Sequence, residues 1–418
     1  MQKIKAFLKK LGPGFITGAS DDDPSGIATY SQTGSHFGYS QLWTALLSLP
    51  FMTVVQEMCG RIGMVTGRGL AAVIKKHYSR SILFGAIFLL VIANTINIGA
   101  DLGAMAATGQ LLWGIPFIYW LIGMTVLTLC LEIFIPYPVY ARYLKYLTLS
   151  LFAYVATVFI IKQDWSLIIW STFIPSFSFS KEYIFNIVAI LGTTISPYLF
   201  FWQSDEEVEE EISQHKLTSM GKGTPKVSKR DIRNLRIDTI TGMLFSNLIM
   251  FFIIITAAST LGAQGITSIE TADQAANALR PLAGEFTFLL FAAGIIGTGL
   301  LAVPVLAGSA SYALAETFNL KAGLGKKFNQ ARAFYLIIIV ATLGGVLVNF
   351  TPIKPFQMLY YTAVLNGICA PPLLALIMLI GNNKKIMGIH ANSRFSNILG
   401  WTITIIMSLA ALALLFFN

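Results

Sequence analysis

The stretch GPGFITGASDDDPSGIATYSQTGS (residues 12–35) places three consecutive aspartates, Asp21, Asp22 and Asp23, in a segment that otherwise has the composition of a membrane-spanning helix. Carboxylates at bilayer depth are energetically costly, so they are rare there and usually face a cavity or an ion path. Pro24 and Gly26 follow directly and break the helix, which frees backbone carbonyls that can bind a cation. The stretch therefore predicts an interrupted membrane helix with an ion site at the interruption.

The composition of the whole chain is typical of a protein that crosses the membrane many times. Its 418 residues are 55% hydrophobic and only 12% charged, and the mean hydropathy of +0.68 is too high for a soluble protein of this size. Apolar runs of about 20 residues, the length of a helical span, recur throughout. We place eleven spans at residues 13–36, 42–66, 82–111, 117–136, 144–161, 183–204, 237–261, 286–317, 333–350, 356–381 and 396–417.

The net charge of +9 is a signal of membrane topology. If the N-terminus is cytoplasmic, 25 of the 29 Lys and Arg residues fall in inner segments, and the other four are Lys162, Lys181, Arg280 and Lys354. This positive-inside distribution predicts a multi-pass protein of the cell membrane with a cytoplasmic N-terminus and an extracellular C-terminus. We expect a monomer surrounded by membrane lipid, and no binding of nucleic acid.

A second interruption lies in the sixth span, at Gly192-Thr193-Thr194-Ile195-Ser196-Pro197-Tyr198. Pro197 removes a backbone donor and unwinds the helix, and hydroxyl groups surround the unwound part. The two interrupted spans are five apart, so they run in opposite directions. An inverted repeat of five helices has this pattern, with its ion site where the broken helices meet. We expect one domain over residues 1–418, with repeat 1 at about 13–161, repeat 2 at about 183–381 and an extra helix at about 396–417.

The first stretch resembles the first span of the NRAMP family of divalent-metal transporters, whose signature there is Asp-Pro-Gly-Asn after a GPGF-type start. Asp23 and Pro24 match, Ser25 replaces Gly, and Gly26 replaces the metal-binding Asn. The segment QEMCGRIGMVTGRGL (56–70) resembles the family's second span. The resemblance implies an all-α polytopic membrane protein with the LeuT-type fold, in which two repeats of five helices are followed by one further helix and helices 1 and 6 are broken.

Departures from the family pattern resemble those of the NRAMP-related magnesium transporters. In span 6 the family carries Met-Pro-His, whereas this chain has Ser196-Pro197-Tyr198. A thioether ligand favours late transition metals. Ser196 and Gly26 would instead leave a roomier site lined with oxygen, which suits Mg²⁺ because this ion keeps much of its water. Mn²⁺ and Fe²⁺ are the alternatives, since both also accept oxygen ligands.

The candidate metal ligands follow from these matches. Asp23 is the charged ligand, and the carbonyls of Ser20 and Thr193 lie one turn before Asp23 and Ser196. Asn366 in span 10 either adds an oxygen or only forms a hydrogen bond between helices. Asp22 either contacts the ion pathway or caps the second half-helix. The complete set is Asp23, Ser20, Gly26, Thr193, Ser196, Asp22 and Asn366.

Proton coupling requires ionisable groups along the path, and in the family the span 6 His and the span 3 acids are connected with proton movement. Tyr198 stands at the position of that His, and a tyrosine titrates only near pH ~10. Ala104 takes the place of a span 3 acid, whereas Asp101 is retained. We therefore favour passive, voltage-driven uptake. The possible path or relay residues are Asp101, Glu57, Tyr198 and Asp21.

The leading hypothesis is an alternating-access divalent cation transporter for uptake of Mg²⁺. The alternatives are a proton-coupled Mn²⁺ or Fe²⁺ importer and, from another class, an ion-sensing receptor or channel-like protein. The sequence contains no nucleotide-binding loop, nucleophile triad or HExxH motif, so we expect no enzymatic activity and no cofactor. We interpret the acidic run 205–211 as a solvated helix end, with an ion-attracting vestibule as the alternative, and Asn94, Asn97 and Asn247 as structural residues.

Overall fold

The computed structural model describes residues 12–135, 139 and 147–416, and helices account for nearly all of its regular structure. Within those ranges no β-strand forms, and a single bridge pairing joins Ser219 to Lys222 in a connecting loop. The expectation of an all-α chain is therefore confirmed.

The first half of the chain contributes helices of very different lengths. They are α1 Pro13–Asp21, α2 Pro24–Phe37, α3 Trp43–Thr66, α4 Leu70–His77, α5 Arg80–Trp113, α6 Phe117–Phe134, α7 Phe152–Ile160 and α8 Trp165–Phe173. A 3-10 helix, Leu147–Leu151, leads directly into α7.

The second half contains a second set of long helices with short ones between them. They are α9 Lys181–Thr194, α10 Pro197–Ser213, α11 Lys229–Thr260, α12 Ala272–Ala276, α13 Arg280–Ala283, α14 Thr287–Phe318, α15 Arg332–Val346, α16 Pro355–Asn382, α17 Lys384–Met387 and α18 Arg394–Phe416.

Each of the eleven predicted spans coincides with helical structure in the described residues. Residue 136 at the end of the fourth span, residues 144–146 at the start of the fifth and residue 417 lie outside them. Eight helical stretches are long and apolar enough to cross a membrane by themselves. The other three spans are the interrupted α1–α2, helix α3 and the shorter stretch Leu149–Ile160. The number of eleven crossings therefore stays a prediction.

Both helix interruptions occur where the sequence predicts them. Pro24 begins α2 and Pro197 begins α10, the position at which the missing N–H of a proline has no helical partner to lose. Asp23 caps α2, because its carboxylate accepts a hydrogen bond from the Gly26 N–H at 2.7 Å. The capping role that we considered for Asp22 thus belongs to Asp23.

Helix α11 supports both halves of the interrupted first helix. Gly18 of α1 meets Gly242 of α11 so closely that a Cβ atom on Gly18 would lie 2.3 Å from the Gly242 carbonyl oxygen. Since real Cβ atoms do not approach backbone atoms to this distance, only glycine fits at this contact.

The N-terminal end of α1 is held by a side chain of α11. The Asp238 carboxylate accepts hydrogen bonds from the backbone N–H groups of Gly12 (2.9 Å), Gly14 (2.7 Å) and Phe15 (3.2 Å). These donors have no partner inside the helix because they belong to its first turn. A carboxylate also interacts favourably with the positive end of the helix dipole. Asp238 therefore fixes where α1 begins relative to α11.

Large apolar side chains cover the outside of the helical bundle. Phe88, Phe134 and Val340 are each more than 60% exposed, although they lie in long apolar helices. An exposed apolar surface of this extent marks contact with another apolar phase. Together with the eight apolar helices, it describes a multi-pass membrane protein.

Candidate metal centre

The two helix interruptions meet inside the protein. A Cβ atom on Gly26 of α2 would lie 3.2 Å from the Asp21 carbonyl oxygen and 3.3 Å from Oγ1 of Thr193. Thr193 is the last residue but one of α9. From α10, the Tyr198 hydroxyl donates a hydrogen bond to the Ser20 carbonyl at 3.2 Å. Gly26 therefore lies close to oxygen atoms at both interruptions.

Asp23 is buried at this junction and is partly satisfied. Its Oδ1 accepts hydrogen bonds from the Ser25 hydroxyl (2.6 Å) and the Gly26 N–H (2.7 Å), and its Oδ2 accepts one from the Asn97 amide of α5 (3.1 Å). An ionised carboxylate offers about four acceptor positions. One position on Oδ2 is therefore left for a cation.

Asp21 and Asp22 share one donor from α11. The Ser246 hydroxyl lies 2.6 Å from Oδ2 of Asp21 and 3.1 Å from Oδ1 of Asp22. Oδ1 of Asp21 and Oδ2 of Asp22 have no hydrogen-bond partner among the described residues, although both side chains are buried. Because a hydroxyl carries one proton, it cannot satisfy both carboxylates, and the pair keeps acceptor capacity beside Asp23.

Ser196 and Thr193 supply oxygen atoms at the second interruption. The Ser196 hydroxyl lies 2.7 Å from the carbonyl oxygens of both Gly192 and Thr193, which the end of α9 leaves free, and its one proton is shared between them. These carbonyls retain a further lone pair, and so does the hydroxyl oxygen. Both residues are buried, so their oxygens face the interior of the protein.

Asn366 lies close to the same interruption. Its helix, α16, packs on α9 so tightly that a Cβ atom on Gly192 would lie 2.0 Å from the Ala363 carbonyl oxygen and 2.4 Å from the Gly367 nitrogen. Asn366 is 1% exposed, and neither amide atom has a hydrogen-bond partner in the part of the chain that the structure describes. Helix–helix hydrogen bonding, the alternative role for this residue, is not seen within that part.

Asp101 lies near the junction on α5. It is one helical turn after Asn97, which contacts Asp23, and it interacts electrostatically with Asp23 and Tyr198. Neither oxygen of its buried carboxylate has a hydrogen-bond partner within the described ranges. Asp101 is therefore a further buried acid next to the interrupted helices, in addition to Asp21, Asp22 and Asp23.

Comparison with known proteins identifies the family. The family model described as Natural resistance-associated macrophage protein-like (Nramp) matches residues 14–417. The chain belongs to the Nramp family.

Two curated Nramp relatives resemble the chain over nearly its whole length. The divalent metal cation transporter MntH of Caldanaerobacter subterraneus is 26% identical over 408 residues, which cover 95% of this chain and 90% of the relative. MntH of Deinococcus radiodurans is 24% identical over 410 residues, with 97% and 88% covered.

Solved structures confirm the fold of this Nramp protein. A manganese transporter of Eremococcus coleocola, in complex with an aromatic bis-isothiourea compound, superimposes with a TM-score of 0.73 at 18% identity and covers 98% of this chain and 86% of its own. Mhp1, a nucleobase-cation-symport-1 family transporter, superimposes with a TM-score of 0.63 at 13% identity, with 98% and 91% covered. The LeuT-type fold that the resemblance to the family implies is therefore confirmed.

Glu57 lies in a different part of this Nramp chain from the junction of the broken helices. Its carboxylate forms ion pairs with Arg61 (3.2 Å) and with Arg236 of α11 (2.9 Å). Arg61 also donates hydrogen bonds to the His390 carbonyl and to the Asn392 side chain (2.9 Å). These bonds tie α3 to α11 and to the segment before α18.

Two residues at the junction were not predicted as part of the site. Asn97 contacts Asp23, and its own Oδ1 has no hydrogen-bond partner among residues 12–135, 139 and 147–416. Ser246 bridges Asp21 and Asp22. Asn97 could have been found from the sequence, because it lies four residues before Asp101 and therefore on the same face of the helix. The sequence offers no comparable signal for Ser246, because its position depends on how α11 packs.

The donor set at the junction is made of oxygen atoms. In the described part of the protein, no three His, Cys, Asp or Glu side chains converge to hold a metal ion by themselves. A cation at the junction would therefore combine the Asp23 carboxylate with carbonyl, hydroxyl and amide oxygens and with water. Hard divalent ions accept such ligands.

The acidic run at the end of α10 is not the solvated helix end that the sequence predicted. The helix does continue to Ser213, but Asp205, Glu207 and Glu211 are buried. The prediction failed because α3 and α14 pack against α10, and the pattern of consecutive acids does not reveal such packing.

Proposed function

We propose that this Nramp protein is an alternating-access divalent metal cation transporter that takes up a hard, partly hydrated ion, with Mg²⁺ as its substrate. The observation that carries the proposal is the junction of the two interrupted helices. Asp23 has a free acceptor position there, and Gly26 lies close to the Asp21 carbonyl and the Thr193 hydroxyl without adding a side chain of its own.

The proposed ligands are oxygen atoms of residues at or near the two interruptions. Asp23 is the charged ligand, while Ser20, Gly26 and Thr193 contribute carbonyl oxygens, and Ser196 contributes a hydroxyl or carbonyl oxygen. Asp22 and Asn366 act directly or through water, since both have unused acceptors. Mg²⁺ is commonly bound by one or two carboxylates and keeps several waters, so it fits a roomy site with few charged ligands.

The choice of Mg²⁺ rests on two residues. Ser196 presents a hydroxyl where a thioether would select softer metals. Gly26 has no side chain, so it adds neither an amide nor a sulfur ligand to the site. Both features lower the preference of the site for late transition metals without changing its charge.

We propose transport without coupled protons, driven by the membrane potential. The Tyr198 hydroxyl donates to the Ser20 carbonyl and so orients the end of α1. Glu57 is neutralised by two arginines. Asp21 and Asp101 are the acids on which a surviving proton path would depend.

The second candidate function is proton-coupled import of Mn²⁺ or Fe²⁺. Two observations favour it: the solved structure from Eremococcus coleocola is a manganese transporter, and Asp101 is a buried acid beside Asp23. Mn²⁺ also accepts oxygen ligands.

The orientation and assembly of the chain are part of the same proposal. We place the N-terminus in the cytoplasm and the C-terminus outside, because the basic residues follow the positive-inside distribution. The protein acts as a monomer in membrane lipid, with its metal ion as substrate and without a cofactor.

Uptake into liposomes tests the proposal. The purified protein is reconstituted, the potential is clamped with valinomycin and K⁺, and entry of Mg²⁺, Mn²⁺, Fe²⁺ and Ca²⁺ is compared with a pH dye in the lumen. We expect Mg²⁺ entry that follows the potential and leaves the luminal pH unchanged. Entry of Mn²⁺ or Fe²⁺ alone, with acidification, would establish the second candidate instead.

A further inference from the structure

A cavity of about 240 Å³ lies between α10, α11 and the start of α1, apart from the junction of the interrupted helices. Most of the charged groups that line it are acidic. The acidic residues are Glu207, Glu210, Glu211, Asp231 and Asp238, and the basic residue is Lys216. By the predicted topology, this cavity lies at the cytoplasmic end of the protein.

The single ammonium group in this lining does not balance its carboxylates. Lys216 pairs with Asp231 at 3.1 Å. Asp238 accepts its hydrogen bonds from backbone N–H groups of α1, which carry no full charge. Of the remaining carboxylates, all on α10, none forms an ion pair with a lining residue, and Lys216 acts on Glu211 only through a longer-range interaction.

Among these residues, Glu211 gives the strongest indication that the cavity binds a ligand. It is 1% exposed, lines the cavity, and neither of its carboxylate oxygens has a hydrogen-bond partner within the described residues. Glu207 lies one helical turn earlier on the same face and accepts one hydrogen bond, from the Gln203 amide at 3.0 Å. Like charges at this spacing repel each other. A buried carboxylate without a partner is costly, and a cation between Glu207 and Glu211 would remove that cost.

The cavity has the size and the chemistry for a hydrated ion. Six waters occupy roughly 180 Å³ at about 30 Å³ each, which is less than the 240 Å³ present. Since no three acidic or other ligating side chains converge in the described part of the chain, the contact would be made largely through water. Mg²⁺ is suited to such binding, because it loses its waters reluctantly. We propose that Glu207 and Glu211 bind a hydrated divalent cation in this cavity, at a second site separate from Asp23.

Counting bound ions tests the second site without measuring transport. The full chain in nanodiscs is titrated with Mn²⁺, whose free concentration is read by electron paramagnetic resonance, and Mg²⁺ is added as a competitor. We expect two Mg²⁺-displaceable Mn²⁺ ions per wild-type chain and one in the double variant Glu207→Gln/Glu211→Gln. The matched control is Glu206→Gln, which removes an acid from the same helix outside the cavity lining, and two ions should remain.

An Asp23→Ala background separates this proposal from the transport site. Asp23→Ala should retain one ion, and adding Glu211→Gln should weaken its binding at least tenfold. The single change Glu211→Gln also tests the second site if the double variant Glu207→Gln/Glu211→Gln folds poorly. Unchanged binding after Glu211→Gln in that background would overturn the second site and leave the assignment of Asp23 intact. Loss of all binding in Asp23→Ala alone would likewise overturn it.

Discussion

Replacing Asp23 by asparagine separates the charge of this residue from its structural role. Asp23 accepts three hydrogen bonds, from Ser25, Gly26 and Asn97, and it caps α2. Asparagine caps helices about as well as aspartate, and its carbonyl oxygen can keep the bonds from Ser25 and Gly26. We therefore expect Asp23→Asn to change the free energy of unfolding by less than about 1 kcal/mol.

The effect of the same change on metal binding should be large. Two unit charges 4 Å apart interact by about 4 kcal/mol at an effective dielectric constant of 20. This energy corresponds to about a thousandfold in a binding constant. A divalent ion carries twice the charge, so a thousandfold loss of affinity is a lower bound, and uptake at millimolar Mg²⁺ should disappear.

The assay compares uptake and stability for the same preparations. Mg²⁺ entry is measured in liposomes, and thermal unfolding is followed in nanodiscs. Asp273→Asn, the same change at an exposed residue of α12, serves as the control and should transport normally. Asp23→Ala should lose both uptake and the cap, which contributes about 1 kcal/mol. Wild-type uptake by a folded Asp23→Asn variant would refute the assignment of Asp23 as the charged ligand.

Three further predictions concern selectivity, coupling and packing. Ser196→Met should shift the preference of uptake towards Mn²⁺ and Cd²⁺, because it supplies sulfur and reduces the space for water; a wild type that already binds Cd²⁺ tightly and excludes Mg²⁺ would contradict this. Moving two charges through 100 mV provides about 4.6 kcal/mol, so a clamped potential should drive uptake without acidifying the lumen, and metal-dependent acidification that Asp101→Asn abolishes would show proton coupling instead. Gly18→Val should reduce the yield of folded protein on size-exclusion chromatography, because even a Cβ atom would lie 2.3 Å from the Gly242 carbonyl oxygen, and a normal yield would show that α1 and α11 can separate.

The sequence predicts those parts of the fold that depend on local chemistry. Apolar runs of membrane length predicted the helices, and Pro24 and Pro197 predicted the two interruptions. Both predictions were possible because each pattern lies within a few residues of the structure that it determines. The opposite direction of the two interrupted helices then followed from their spacing.

The sequence does not predict contacts that depend on the rotation of one helix against another. Ser246 reaches Asp21 and Asp22 because α11 presents that face to α1, and Asn97 reaches Asp23 because of the way α5 packs. The burial of Glu211 likewise depends on neighbouring helices rather than on the acidic run itself. All of these side chains are polar. The sequence around such a residue does not show whether it belongs to an ion site or forms a hydrogen bond between two helices.

The attachment of α1 through Asp238 has a mechanical consequence. Apolar contact area decreases gradually as two helices separate, whereas a hydrogen bond weakens steeply once its donor moves or tilts away. Three backbone donors share one carboxylate at this end of α1, so a displacement of about an ångström strains all three bonds together. Hydrogen bonds to a charged group contribute about 1.5–3 kcal/mol each. The N-terminal end of α1 should therefore detach from α11 in one abrupt step, with all three bonds lost together, rather than move away gradually as the load increases.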